Sequence, residues 1–339
     1  MKDKKVFVIA VFFSCMLLVF HLSEQGRASV PLRNCETCHT IYPEMTEKGD
    51  YKKILLPPCV SCHANTTEDT IKILGEFRDP SVYNTYKPKS LLAGGSFYYV
   101  SNYGDRKGHN IDKIANVDAK FLGLPPGYDR ALDPSVIGYN KNKPLTCAGS
   151  NGCHGNRNIE EPFTAMRGAH HGIDFPVDGT TIARSYRYLS ITHGVKDSKV
   201  NGVVGLKDNN WGQNSTPSKH NEYSLSMNRL CVSCHGNFHG RAQQKAGFRH
   251  PVGAAIPYKG EFKGYITYNL DAPVGRENVP EVSGEAVSHG SDVVICLSCH
   301  MAHGSPYNSS LRWNFDIISA GSKKGEEERG GCFICHTKK

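Results

Sequence analysis

The chain has 339 residues, with 34 glycines, 18 prolines and 13 cysteines, 39% hydrophobic residues and a formal net charge of +8. Glycine and proline cut it into short apolar runs, which excludes a bundle of long amphipathic helices and predicts a mostly irregular chain with short helices and a few short strands. Outside the first residues no basic run exceeds a pair, which excludes a nucleic-acid-binding tract.

At the N-terminus, Lys2, Lys4 and Lys5 precede an apolar run from Val6 to Phe20, and Gly26-Arg27-Ala28 offers small residues to a signal peptidase. This predicts a secretory signal peptide over residues 1–28 and an exported protein of the periplasm, outer surface or extracellular space. The run is short for a spanning helix, and an uncleaved anchor is the alternative reading. Cys15 lies inside the run and is discarded with it.

Residues 29–90 form an N-terminal segment with two cysteine pairs, Cys35-Glu-Thr-Cys38-His39 and Cys59-Val-Ser-Cys62-His63, and end in the linker-like Tyr86-Lys-Pro-Lys-Ser90. Residues 91–339 carry four more pairs. A brief strand is expected from Phe97 to Ser101, followed by Cys147 and Cys153-His154 with five residues between the cysteines. Then come the adjacent His170 and His171, whose side chains on a helix would point about 100° apart and could serve two different partners. Cys231-Val-Ser-Cys234-His235 follows, then expected strands from Tyr265 to Leu270 and from Asp292 to Cys296, then Cys296-Leu-Ser-Cys299-His300. A charged stretch, Lys323 to Arg329, reads as a solvated loop before Cys332-Phe-Ile-Cys335-His336.

Five of these six motifs match the C-x-x-C-H sequence of covalent c-type haem attachment. Cysteines three apart on a helical turn point the same way, so both sulfurs can bond one porphyrin edge, and the next histidine comes over the ring to the iron. In the sixth, Gly149, Asn151 and Gly152 make a loop flexible enough to bulge and still present both sulfurs. The reading is six haems, with His39, His63, His154, His235, His300 and His336 as proximal ligands. Zinc is the first alternative, since the Cys35 and Cys59 pairs have the spacing of a zinc ribbon; but zinc does not require histidine after every pair. Disulfides are the second, above all between Cys147 and Cys153. Such a chain would build its core from a stack of haems rather than from side chains.

Haem also revises the charge. Removing residues 1–28 takes away four positive and two negative charges. Six ferric haems with ionised propionates then bring the total near zero, so the lysines and arginines read as propionate partners.

The second axial ligand decides what each iron does: histidine closes the site at low potential, methionine at higher potential, and an open position allows chemistry. Beyond the signal segment and the proximal set, nine histidines remain: His109, His170, His171, His193, His220, His239, His250, His289 and His303. Methionines are too few to serve all six irons. Closed bis-histidine sites and electron transfer without substrate chemistry are the expectation. The alternative is a multihaem reductase of a nitrogen or sulfur oxyanion with one open iron.

Several stretches from about residue 90 onward are similar to the multihaem c-type cytochromes with doubled CXXCH motifs found in metal-reducing, electron-exporting bacteria. Among them are Gly108-His-Asn-Ile111, Thr146-Cys-Ala-Gly-Ser-Asn-Gly-Cys-His-Gly155, Arg167-Gly-Ala-His-His-Gly172, Phe248-Arg-His-Pro251 and the run from Asn228 to His239. The run from Val294 to Tyr307 belongs with them. The resemblance implies a haem at the stretched Cys147 motif. It also ranks His109, His170, His171, His239, His250 and His303 as distal ligands, with His193, His220 and His289 in reserve. It implies redox partner proteins or an extracellular acceptor such as a metal oxide. Some relatives polymerise into conducting filaments in which a histidine of one subunit ligates a haem of the next. Residues 29–90 hold no spare histidine, so their two haems must take distal ligands from beyond residue 90 or from a neighbouring copy.

Overall fold

The structure is a computed structural model that describes residues 59–74, 77–116, 124–128, 140, 142–155, 157–165, 203–204, 211–239, 250–280, 282–318 and 330–337. The chain divides into two units, Met1–Ile54 and Leu55–Lys339, and every described residue belongs to the second. The signal segment, Cys35, Cys38, His39, His170, His171, His193 and the charged 323–329 stretch lie outside the described residues.

Most of the described chain is loop and turn. Strands β1 (Ala64–Asn65) and β4 (Tyr83–Asn84) pair in parallel, and β2 (Ile71–Leu74) and β3 (Phe77–Pro80) form an antiparallel hairpin. Strands β5 (Val203–Val204), β6 (Glu222–Ser224) and β7 (Gly275–Arg276) make a small mixed sheet. The helices are one or two turns long: α1 (Tyr98–Tyr103), α2 (Pro162–Ala165), α3 (Met227–Val232), α4 (Gly236–His239), α5 (Cys296–Cys299) and α6 (Cys332–Cys335). The composition predicts this irregular, short-element architecture.

The three expected strands do not form. Phe97 to Ser101 falls largely in α1, because Ser96 Oγ accepts the Tyr98 N–H and Gly104, at φ +88°, caps the far end by donating to Val100 O. The β-propensity of Tyr98-Tyr99-Val100 yields to these local signals. Tyr265 to Leu270 keeps a single bridge, between Thr267 and Ala286. The chain curls there around the Tyr265 phenol, which donates to Ala272 O at 2.6 Å. Asp292 to Cys296 is extended with bridges only at Val293, to Ala255 and Gly275, before α5 begins. The linker-like 86–90 segment is tied back: Gln213 donates to Ser90 Oγ and Thr70 Oγ1, and Lys89 pairs with Glu68.

The apolar core is divided into clusters, and each of the three larger ones reaches a cysteine motif. Phe97, Val100 and Ile111 pack against Cys147. Tyr223, Met227, Leu230, Val293, Ile295 and Leu297 pack against Cys153. Ile256, Tyr265, Tyr268, Val274 and Val287 pack against Ile334 and Cys335. Beside the small sheet lies a buried ionic group. Arg276 bonds Glu222 at 2.8 Å and both oxygens of Asp292 at 3.2 and 3.3 Å, and His220 Nε2 lies 3.2 Å from Glu222. Glu222 and Asp292 are each only 2% exposed, and the guanidinium supplies the positive partner that a buried carboxylate requires.

Candidate haem attachment sites

Five cysteine–histidine motifs fall within the described residues, and they share one backbone geometry. In each, the histidine N–H donates to the carbonyl of the first cysteine. The distances are 2.9 Å from His63 to Cys59, 2.9 Å from His154 to Cys147 and 2.9 Å from His235 to Cys231. They are 3.0 Å from His300 to Cys296 and from His336 to Cys332. For the regular motifs this is the bond that closes one helical turn. The Cys147 motif makes the same bond with three extra residues in the loop. Gly149, at φ +86°, turns the chain outward, Gly152 donates back to it at 2.9 Å, and Cys153 donates to Cys147 O at 3.1 Å. The second cysteine of a regular motif bonds the same way, 3.2 Å at Cys62 and 3.1 Å at Cys234.

The histidine rings are also held alike. His235 Nδ1 donates to Pro126 O at 2.7 Å and His300 Nδ1 to Ser309 O at 2.7 Å. His63 Nδ1 lies 3.0 Å from Pro80 O and 2.9 Å from Asp79 Oδ1, and His336 Nδ1 lies 3.1 Å from Glu261 Oε1. A carbonyl can only accept, so Nδ1 carries the proton where it faces one, and Nε2 keeps its lone pair for a metal. Burial holds the His300 ring below its ordinary pKa. At His63 burial is the largest effect and opposes the charge, but the hydrogen bond to Asp79, the negative charge of that carboxylate and the Pro80 carbonyl together outweigh it, and the pKa is raised.

The thiols form a continuous series. Cys147 stands against Cys59, and Cys231 against Cys296. Cys153 lies beside Cys234, and Cys299 beside Cys332 and Cys335. The five motifs therefore adjoin one another in sequence order. Burial raises the Cys153 thiol to about 11 and the Cys299 and Cys335 thiols to about 12. All ten described cysteines are free, and among the described residues no three His, Cys, Asp or Glu side chains converge on a metal position.

Two guanidinium nitrogens fit an absent anionic group. Arg157 Nε and Arg312 Nη2 are buried without acceptors. Arg157 stands near Cys153 and Cys234, and Arg312 near Cys299 and His300. Buried charged donors without acceptors are rare in folded proteins, and haem propionates supply the chemistry they lack. The residues present thus fit covalent haem.

The spare histidines fall into two groups. His109 Nδ1 donates to Ala302 O at 2.5 Å and His250 Nδ1 to Pro251 O at 3.0 Å, leaving Nε2 available on both. His303 is depressed to about 3 by burial, with His154 and His109 nearby, so its ring is neutral. His220 instead stacks on Tyr268 with ring centres 3.4 Å apart and turns Nε2 to Glu222. His289 donates Nε2–H to Phe262 O at 2.9 Å. His239 ends α4. Met227 is buried in an apolar cluster. Sequence reasoning had no means of finding the Nδ1 acceptors: a backbone carbonyl carries no residue signature, and Asp79 and Glu261 are ordinary acidic residues until folded against their histidines.

Three ring pairs join an attachment histidine to a spare one. The centres lie 6.0 Å apart for His235 and His109, 6.2 Å for His154 and His303, and 6.2 Å for His336 and His250.

Residues 286–339 match the doubled CXXCH motif family. That segment holds the Cys296 and Cys332 motifs, so the C-terminal part of the chain carries the doubled CXXCH sequence. No curated protein matches the chain. Among solved structures, the chain is similar to the Outer Membrane Cytochrome S Filament from Geobacter sulfurreducens, with a TM-score of 0.47 at 17% identity over 90% of this chain and 98% of that one. A second similar structure, of the OmcS nanowires from Geobacter sulfurreducens, gives a TM-score of 0.39 at 18% identity over 74% of this chain and 81% of that one.

Proposed function

We propose that the chain is an exported c-type cytochrome that binds six haems and passes electrons along them, in extracellular electron transfer, without converting a substrate. The observation that carries this is the common geometry of the five described motifs. One backbone bond closes each turn, and the rings of His63, His235, His300 and His336 each turn Nδ1 to an oxygen. The Cys35 motif completes the set of six on its sequence.

Haem supplies a reversible one-electron couple at iron. The residues of the chain do the rest. Each cysteine pair fixes a ring edge, each histidine binds through Nε2, and the oxygen behind Nδ1 sets the orientation of the imidazole and its basicity. Because the motifs adjoin in sequence order, the haems they hold form a path in that order through the described unit. The acceptor at the end of the path is a redox protein, a metal oxide or a second copy of this chain. The homopolymer is supported by the lack of spare histidines in residues 29–90. Among the described residues no helix is long and apolar enough to cross a membrane.

Intact mass of the exported protein, read with a low-temperature spin-state spectrum, tests the reading. Six haem additions on a chain beginning near Ser29, with every iron low-spin, are expected. Disulfides between Cys59 and Cys147 or between Cys231 and Cys296 in place of haem would overturn it. A high-spin iron that binds nitrite would overturn the electron-transfer assignment.

A further inference from the structure

The geometry points to three specific iron sites: His154 with His303, His235 with His109, and His336 with His250, each pair holding one haem iron between its two imidazoles. This rests on the haem reading above and extends it from ligand class to ligand identity.

The spacing is the first argument. A metal–imidazole bond of about 2 Å and a ring radius of roughly 1.2 Å put two imidazoles on opposite sides of one metal about 6.4 Å apart, centre to centre. The observed 6.0, 6.2 and 6.2 Å match that span, whereas the His220 and Tyr268 rings stack at 3.4 Å. Interplanar angles of 54°, 42° and 89° are all compatible, because a trans ligand may rotate about the iron–nitrogen axis.

Nitrogen availability is the second argument. His109 and His250 spend Nδ1 on a carbonyl and keep Nε2, the pattern of the attachment histidines themselves. His303 fits its place closely: a Cβ on Gly94 would fall 2.9 Å from its Nδ1. His289 has already committed Nε2 to Phe262, and His220 is buried face-on against the Tyr268 ring with Nε2 3.2 Å from Glu222, which sets both apart from the ligand set.

The third argument is independent of the rings. His109 N–H donates to His303 O at 3.3 Å, so these two ligands stand on adjoining backbones. If they serve the Cys231 and Cys147 haems, those two haems must be neighbours. The contact between Cys153 and Cys234 makes the same two motifs neighbours from the other side.

Paired substitutions in the exported, haem-loaded protein test the assignment. His303→Ala should leave the covalent haem count unchanged and convert one iron to a high-spin form that binds carbon monoxide. With Cys147→Ala and Cys153→Ala, which remove the haem at that motif, His303→Ala should add no high-spin iron. With Cys231→Ala and Cys234→Ala it should still add one. His109→Ala should show the reverse dependence, and His250→Ala should fall silent only when Cys332 and Cys335 are replaced. Where an alanine variant is not exported, His303→Met keeps the iron closed and should give one methionine-ligated haem by its charge-transfer band. A high-spin signal that survives removal of the assigned haem overturns the pairing. Wild-type protein without haem mass would sink the underlying haem reading instead, so the two failures are distinguishable.

Discussion

At the scale of single residues, the described attachment histidines divide labour between their two ring nitrogens. The cysteine–histidine motifs were legible because the haem attachment proposed for them requires two cysteines and a ligand histidine close together in sequence. The oxygens that orient them were not, because Pro80, Pro126 and Ser309 contribute only backbone carbonyls. His220 shows how burial alone misleads. It is 1% exposed and next to a carboxylate, yet it belongs to the ionic group around Arg276. Replacing Arg276 with Met would strand Glu222 and Asp292 as buried, unpaired charges. We expect a loss of about 3–5 kcal/mol in denaturant unfolding, with the haem count by mass unchanged. A cost near zero would mean that the carboxylates are neutral in the native protein.

At the scale of elements, one turn of helix is the repeated unit, and the Cys147 motif shows how it tolerates insertion. The extra residues contribute contacts of their own. Asn151, only 5% exposed, donates Nδ2–H to Asn140 O at 2.9 Å and Lys143 O at 3.1 Å and accepts from Asn140 N–H at 2.7 Å. Asn151→Ala should therefore cost about 1–3 kcal/mol by leaving buried backbone groups without partners. A lowered thermal midpoint with an intact haem complement would show it, while loss of the haem would place the asparagine in attachment itself. The bulge was legible from its glycines; its anchoring role was not, since nothing in the sequence tells which distant carbonyls an asparagine will meet. The missed strands have a related cause. Aromatic and β-branched residues predict strands only where a partner strand exists to receive them, and here the neighbours are turns and helices fixed by the motifs.

At the scale of the whole molecule, the described residues offer little that would hold the fold without cofactors. Its apolar clusters are small, separate, and packed against Cys147, Cys153 and Cys335. The composition foretold this shortage, and the structure shows where the remaining apolar surface goes. Expressed without haem attachment, the chain should show no cooperative thermal transition in near-ultraviolet circular dichroism, whereas the loaded protein should show one. A cooperative transition in the unloaded chain would mean that side chains alone make the core.

The junction between His109 and the backbone near His303 spans 193 residues of sequence. Closing so long a loop is entropically expensive and slow. In the export proposed above, Ala302 would emerge 193 residues after His109. Until then His109 and the chain around it would wait in a half-assembled state, exposed to proteases. The yield of finished protein thus depends on how long that intermediate survives, a kinetic quantity that the stability of the completed fold does not set.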